Sequence, residues 1–165
     1  MKFKNEEEFR KWIVAELPKH LGENWAVLHG KNVSDIILCR NEQATPLILF
    51  VEAKYHKSAH GRIGFGNASG KGYQTEILLK RPLYLERYLR WIVADEESEQ
   101  CLFFTNDDVR ENCAGEIKEG KQNNFTFGLF DKNKRHCFTL NDAPERIAKW
   151  AKEQLSQQNI PADGE

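Results

Sequence analysis

Long apolar runs, patterned cysteines, a strong charge of one sign and internal repeats are all missing from this 165-residue chain. Without an apolar stretch of bilayer length, a membrane-spanning protein is not expected. The four cysteines, Cys39, Cys101, Cys113 and Cys137, stand far apart with no C-x-x-C pair, which argues against a zinc framework or a disulfide scaffold. Cys39 and Cys101 adjoin apolar runs and read as buried thiols in a reducing compartment. The opening MKFKNEEEFRKW turns acidic at once and lacks the apolar core of a secretory signal, so the expected location is cytoplasmic. Net charge is −1, so any polyanion partner would have to be met by a local basic patch.

What is present is an ordinary globular balance, 40% hydrophobic and 30% charged, and the length suits one domain over residues 1–160 with a frayed tail at 161–165. Asn5 can cap a helix to about Leu17: Glu6, Glu7 and Glu8 suit its positive end, and Phe9, Trp12, Ile13 and Leu17 form an apolar stripe that Pro18 should end. Three extended segments follow, Trp25 to His29, Val33 to Cys39 and Leu47 to Tyr55, rich in Val, Ile, Leu and Phe with short turn-forming separators. LILFV lacks alternation, as a central strand covered on both faces does. After a glycine-rich loop (His56 to Gly72), helical spacing runs from Tyr73 to about Lys80, breaks at Pro82 and resumes to about Ala94. Leu85, Tyr88, Leu89, Ile92 and Val93 would form the buried face of that second helix. CLFFT, FTFGLF and RHCFTL read as later strands and Pro144 to Gln158 as a final helix, with Trp91 and Trp150 as core residues. The order of elements is α/β or α+β.

The chemistry-bearing residues sit on the second and third extended segments. On a strand, residues two apart share a face, so Glu52 and Lys54 of LILFVEAK point the same way while Ala53 turns aside. Asp35 lies in the preceding strand, VSDIIL, and can approach Glu52 if the two strands pair. Two carboxylates suit a hard divalent cation, and a lysine beside them can orient a water. That combination serves hydrolysis of a phosphodiester. The letters E-x-K alone mean little, since Glu116-Ile117-Lys118 and Glu119-Gly120-Lys121 repeat them in a polar stretch with no strand behind them. The context is unusual: an Asp inside VSDIIL and a Glu after LILFV must be paired or bound to something.

The pattern SD…FVEAK, with a helix before it and a helix carrying Gln74 after it, resembles the PD-(D/E)XK nuclease superfamily over roughly Glu6 to Thr105. Ser34 departs from it, standing where the family name has proline. The resemblance implies a restriction-endonuclease-like core, a central mixed sheet of about four to six strands flanked by helices. It implies Asp35 and Glu52 as ligands of Mg2+ (with Mn2+ as substitute), the Ala53 carbonyl as a third ligand, and Lys54 as the residue placing the attacking water. It further suggests Gln74 as a catalytic support and, as an acid on the first helix, Glu8 as a metal ligand. DNA in preference to RNA is the implied substrate. Cutting both strands would call for a homodimer, and a small chain of this kind also fits a partner protein that guides it.

His56, Lys57, His60, Arg62 and Lys71 are grouped among glycines beside these residues and are the expected nucleic-acid contacts. Within the same loop, Gly66-x-x-x-Gly70-Lys71 has one residue too few for a nucleotide phosphate loop, and Gly72 stands where Ser or Thr should bind the metal. The His56–His60 spacing lacks the glutamate and helix of a zinc pair. The alternative reading of the same residues is a catalytically silent nucleic-acid-binding or partner-dependent subunit. The scattered cysteines give the first testable expectation. Protein purified without reductant and then denatured should react with four equivalents of a thiol reagent, and a count of two would reveal a disulfide.

Overall fold

The first helix is built as its sequence requires. In the computed structural model, which describes residues 1–30, 34–40, 46–57, 61–66 and 73–158, α1 spans Glu6–Leu21. The Asn5 side chain accepts the Glu8 N–H at 2.9 Å, and Phe9, Ile13, Leu17 and Leu21 are buried along one stripe. The helix does not stop at Pro18 but runs a further turn to Leu21. Proline there forfeits one helical hydrogen bond and crowds the carbonyl four residues back, and burial of Leu17 and Leu21 carries the helix past it. Gly22, with φ +93°, closes the end by donating to the Pro18 carbonyl.

Strands β1 (Trp25–His29), β2 (Ile36–Arg40) and β3 (Leu47–His56) form an antiparallel meander. A two-residue strand β4 (Gly64–Phe65), then α2 (Gln74–Lys80) and α3 (Leu83–Tyr88), lead to β5 (Leu89–Asp95), which lies parallel to β3. This corrects the expected helix to Ala94. Leu89 and Trp91 to Ala94 are buried on both faces of the sheet. Such a strand is a continuous apolar run, which periodicity cannot tell from a buried helix.

Next come β6 (Gln100–Phe104) and α4 (Asn106–Glu111), the latter opened by a Thr105–Asp108 capping box. β7 (Asn123–Asn124) pairs with β4 to make a separate two-stranded sheet. α5 (Leu129–Lys132), β8 (Phe138–Thr139) and α6 (Ala143–Gln158) complete the chain. FTFGLF is therefore not a strand: Phe125 forms an isolated bridge with Cys113, and Gly128, at φ +72°, turns the chain into α5. RHCFTL contributes only Phe138 and Thr139 to the sheet.

The result is a mixed six-stranded sheet, ordered β1-β2-β3-β5-β6-β8, with helices on both faces. Odd-numbered β3 residues Leu47 to Tyr55 pack with α1 and α6 in one core cluster, whereas Leu89, Trp91 and Val93 pack with α2, Phe65 and Phe125 in the other. Trp91 and Trp150 are both buried. None of the four cysteines forms a disulfide; Cys101 is buried and Cys39 half-buried. Among the described residues no helix is long and apolar enough to cross a membrane. The tail at 161–165 lies outside the described residues.

One glycine decides how β2 begins. The Gly30 N–H donates to the Asp35 carbonyl at 2.9 Å, and a Cβ on Gly30 would stand 1.7 Å from the Ser34 carbonyl oxygen. Gly30→Ala should therefore push residues 34 and 35 aside and destabilise the protein by about 1–3 kcal/mol in urea denaturation. Wild-type stability of that variant would contradict this packing.

Candidate active site

The β2–β3 ladder ends at the pair Ile36↔Val51. Carried one step further, the same register sets Asp35 opposite Glu52, on the same face of the sheet. There the strands part. The Ser34 hydroxyl, buried in the split, lies 2.9 Å from the Val51 carbonyl and 3.0 Å from that of Ile36. Asp35 fills the gap: its Oδ2 accepts the Ala53 N–H at 2.8 Å, and its Oδ1 accepts from Arg10 Nη1 at 2.7 Å. Since a strand residue's N–H and C=O leave the same edge, the Ala53 carbonyl belongs on this open side too.

Glu52 is 3% exposed, and no lysine or arginine pairs with it directly among the described residues. Burial, and then the neighbouring Asp35 charge, push its carboxyl up from 4.5 to about 8, against the lowering pull of Lys54 and Gln74. Gln74, the first residue of α2, donates through Nε2 to Glu52 Oε2 at 2.7 Å. Its own Oε1 accepts the Gly66 N–H at 2.8 Å, so the amide is held from both ends.

Lys54 shares the face of Glu52, and its Nζ lies 3.4 Å from Glu6 Oε1 with the side chain 11% exposed. Glu6 Oε2 is also 3.4 Å from the Tyr55 N–H. The acid of α1 that reaches the cluster is thus Glu6. The Glu8 carboxylate instead accepts the Lys4 N–H at 2.9 Å and lies 3.7 Å from Lys4 Nζ, at the helix start. Glu6 and Arg10 are site residues that the sequence does not single out. They stand one turn apart on one helix face, a signal legible only once the direction of docking is known.

The expected contacts in the glycine-rich loop are less closely grouped. His56 Nδ1 is 2.8 Å from Asp95 Oδ1, across the β3–β5 register, and its Nε2 meets the Gly61 carbonyl. Lys57 Nζ donates to the Lys4 carbonyl at 2.9 Å, and Arg62 is exposed. His60 and Lys71 lie outside the described residues.

Do these residues suit a divalent cation? Among the described residues no three His, Cys, Asp or Glu side chains are grouped to hold one. A cation here would take the oxygens of Asp35 and Glu52, the Ala53 carbonyl and water. That hard-oxygen set fits Mg2+ or Mn2+, and the crowding of two carboxylates, one of them buried, is what such an ion relieves.

No family model matches the chain, and no curated protein matches it in sequence. Among solved structures, its fold is similar to that of a nuclease from a fusselovirus, with 11% identity over 91% of this chain and 89% of that one and a TM-score of 0.47.

The state of Glu52 can be checked without any metal. Its carboxyl is raised in the folded protein, so the fold holds a proton that the unfolded chain releases. Stability should then fall as pH rises from about 4.5 to about 8. Glu52→Gln, with EDTA present, should flatten this fall and exceed wild type at pH 9 by on the order of 3 kcal/mol, the gap closing towards pH 5. A gap of equal size at every pH would contradict a proton held on Glu52.

Proposed function

We propose that this protein is a Mg2+-dependent endonuclease that hydrolyses DNA phosphodiester bonds and belongs with the PD-(D/E)XK nucleases. One observation carries this reading: Asp35 and Glu52 oppose each other where β2 and β3 part, with Lys54 on the same face as Glu52. A bound divalent cation would supply the Lewis acidity that lowers the pKa of water and offsets the charge growing on the phosphate.

The chain's own residues have distinct tasks. Asp35 and Glu52 would hold the cation through their carboxylates, with the Ala53 carbonyl beside them, Glu52 in its deprotonated form. Gln74 fixes the Glu52 rotamer, because an amide held by Gly66 leaves the carboxylate little room to turn. Lys54 positions the attacking water and faces the phosphate, steadied by Glu6. Glu8 supports the start of α1 rather than the cation. His56, Lys57 and Arg62 would contact the DNA backbone, and the same role is proposed for His60 and Lys71, which lie outside the described residues. Cutting of both strands would be done by a homodimer with one site per strand, and a dimeric mass with DNA bound accompanies that reading.

A second reading has one observation in its favour. Asp35 is already satisfied by Arg10 and the Ala53 N–H, as it would be in a silent DNA-binding or partner-dependent subunit. Cleavage decides between them. Supercoiled plasmid and branched DNA should be cut with Mg2+ or Mn2+ and spared in EDTA, and Lys54→Ala should lower the rate at least about 100-fold. Uncut DNA in every metal, or a Lys54→Ala protein as fast as wild type, would overturn the catalytic assignment.

A further inference from the structure

We propose that the cleft beneath Phe127 is a subsite for one unpaired nucleotide next to the cleavage centre. The proposal rests on the nuclease reading and adds a substrate class to it: DNA with an unpaired or displaced base.

The cleft has a volume of ≈ 550 Å³, a size that holds one small ligand. It meets β3 at the strand's last residue, His56. His56 forms part of its wall and stands two residues beyond Lys54 on the same face of β3, about 7 Å along the strand. That is roughly the reach of one extended nucleotide, so a chain whose phosphate lies at Lys54 brings its next base to this cleft. The wall is rigid there, because His56 is tied to Asp95 on the neighbouring strand and to the Gly61 carbonyl.

The cleft's chemistry favours a base over a phosphate. Phe127 is 76% exposed, although Phe125 and Leu129 on either side of it are buried. An aromatic ring presented to solvent at the edge of a cavity is a stacking surface, since every base has a π-face. Arg62 is the exposed cation of the wall, whereas Glu97 and Asp131 add carboxylates that would repel a phosphate. Those same carboxylates accept hydrogen bonds from the amino groups of bases. A nucleotide therefore enters base first, its backbone staying on the Lys54 side with Arg62. A paired base cannot make this turn, which would confer selectivity for unpaired positions.

Phe127 contributes little to the core, so its substitution should leave the fold intact. The test uses two duplexes in Ca2+, one carrying a single unpaired 2-aminopurine and the other fully paired. Wild type should bind the first more tightly and change its fluorescence by stacking. Phe127→Ala should weaken that binding about 10-fold to 100-fold, change binding of the paired duplex less than about 2-fold, and lose the fluorescence change. Phe127→Trp should retain all three properties. Equal binding of both duplexes by wild type, or equal weakening of both in Phe127→Ala, would remove the subsite and leave the nuclease reading standing. Failure of wild type to bind either duplex would overturn both.

Discussion

Two carboxylates held side by side at the end of the β2–β3 ladder set the terms for the residues around them. Each would be tolerable alone. Together, with Glu52 buried, they repel: burial and the Asp35 charge push the Glu52 carboxyl up to about 8, while Asp35 accepts from Arg10 and from the Ala53 N–H. On the proposed reading, a bound cation would relieve the same crowding. The surrounding elements make the crowding sustainable: β3 is fixed between β2 and β5, α1 lays Glu6 and Arg10 across the open edge, and α2 delivers Gln74 to Glu52. A protein that needed only stability could place apolar residues at both positions and do without this arrangement.

Much of this was legible in the chain, for reasons that are local. The two-residue period of a strand put Glu52 and Lys54 on one face, and the apolar run LILFV marked a central strand. Asp35 inside VSDIIL was conspicuous because an acid in an apolar segment needs a partner, although in the structure it stands half-buried just before β2 rather than within it. That Asp35 could approach Glu52 was legible only on the condition that the two segments pair as neighbours; the register itself comes from the structure. Leu89 to Asp95 was not legible as a strand, because an element buried on both faces loses alternation, and Leu85, Tyr88, Leu89 and Ile92 happen to keep helical spacing. The choice between Glu6 and Glu8 was also hidden. All three acids of the first turn suit the helix dipole, and only the packing of Phe9, Ile13 and Leu17 decides which one faces the sheet.

Some features could be found only in three dimensions. The stretch GEIKEGK looked like an idle surface loop, yet Asn123 binds its backbone at Lys118 and Lys121 and reaches Thr75 of α2, bringing it against Gly66. The glycine-rich segment and this distant loop are therefore joined through β4 and β7 beside the site. Phe127 likewise shows its significance only by pointing outward between two buried neighbours. A net charge of −1 is compatible with a polyanion substrate if attraction depends on where the cations stand, and the described site carries Arg10 and Lys54 within its first layer.

The central claim is that the Asp35–Glu52 pair is a cation site, and the most direct measurement is Mn2+ titration followed in amide NMR spectra. Paramagnetic broadening should begin at Asp35, Glu52, Ala53 and Gln74, saturate, be reversed by excess Mg2+, and disappear in Asp35→Asn. Broadening that spreads over surface carboxylates without a focus, or that survives in Asp35→Asn, would contradict the account.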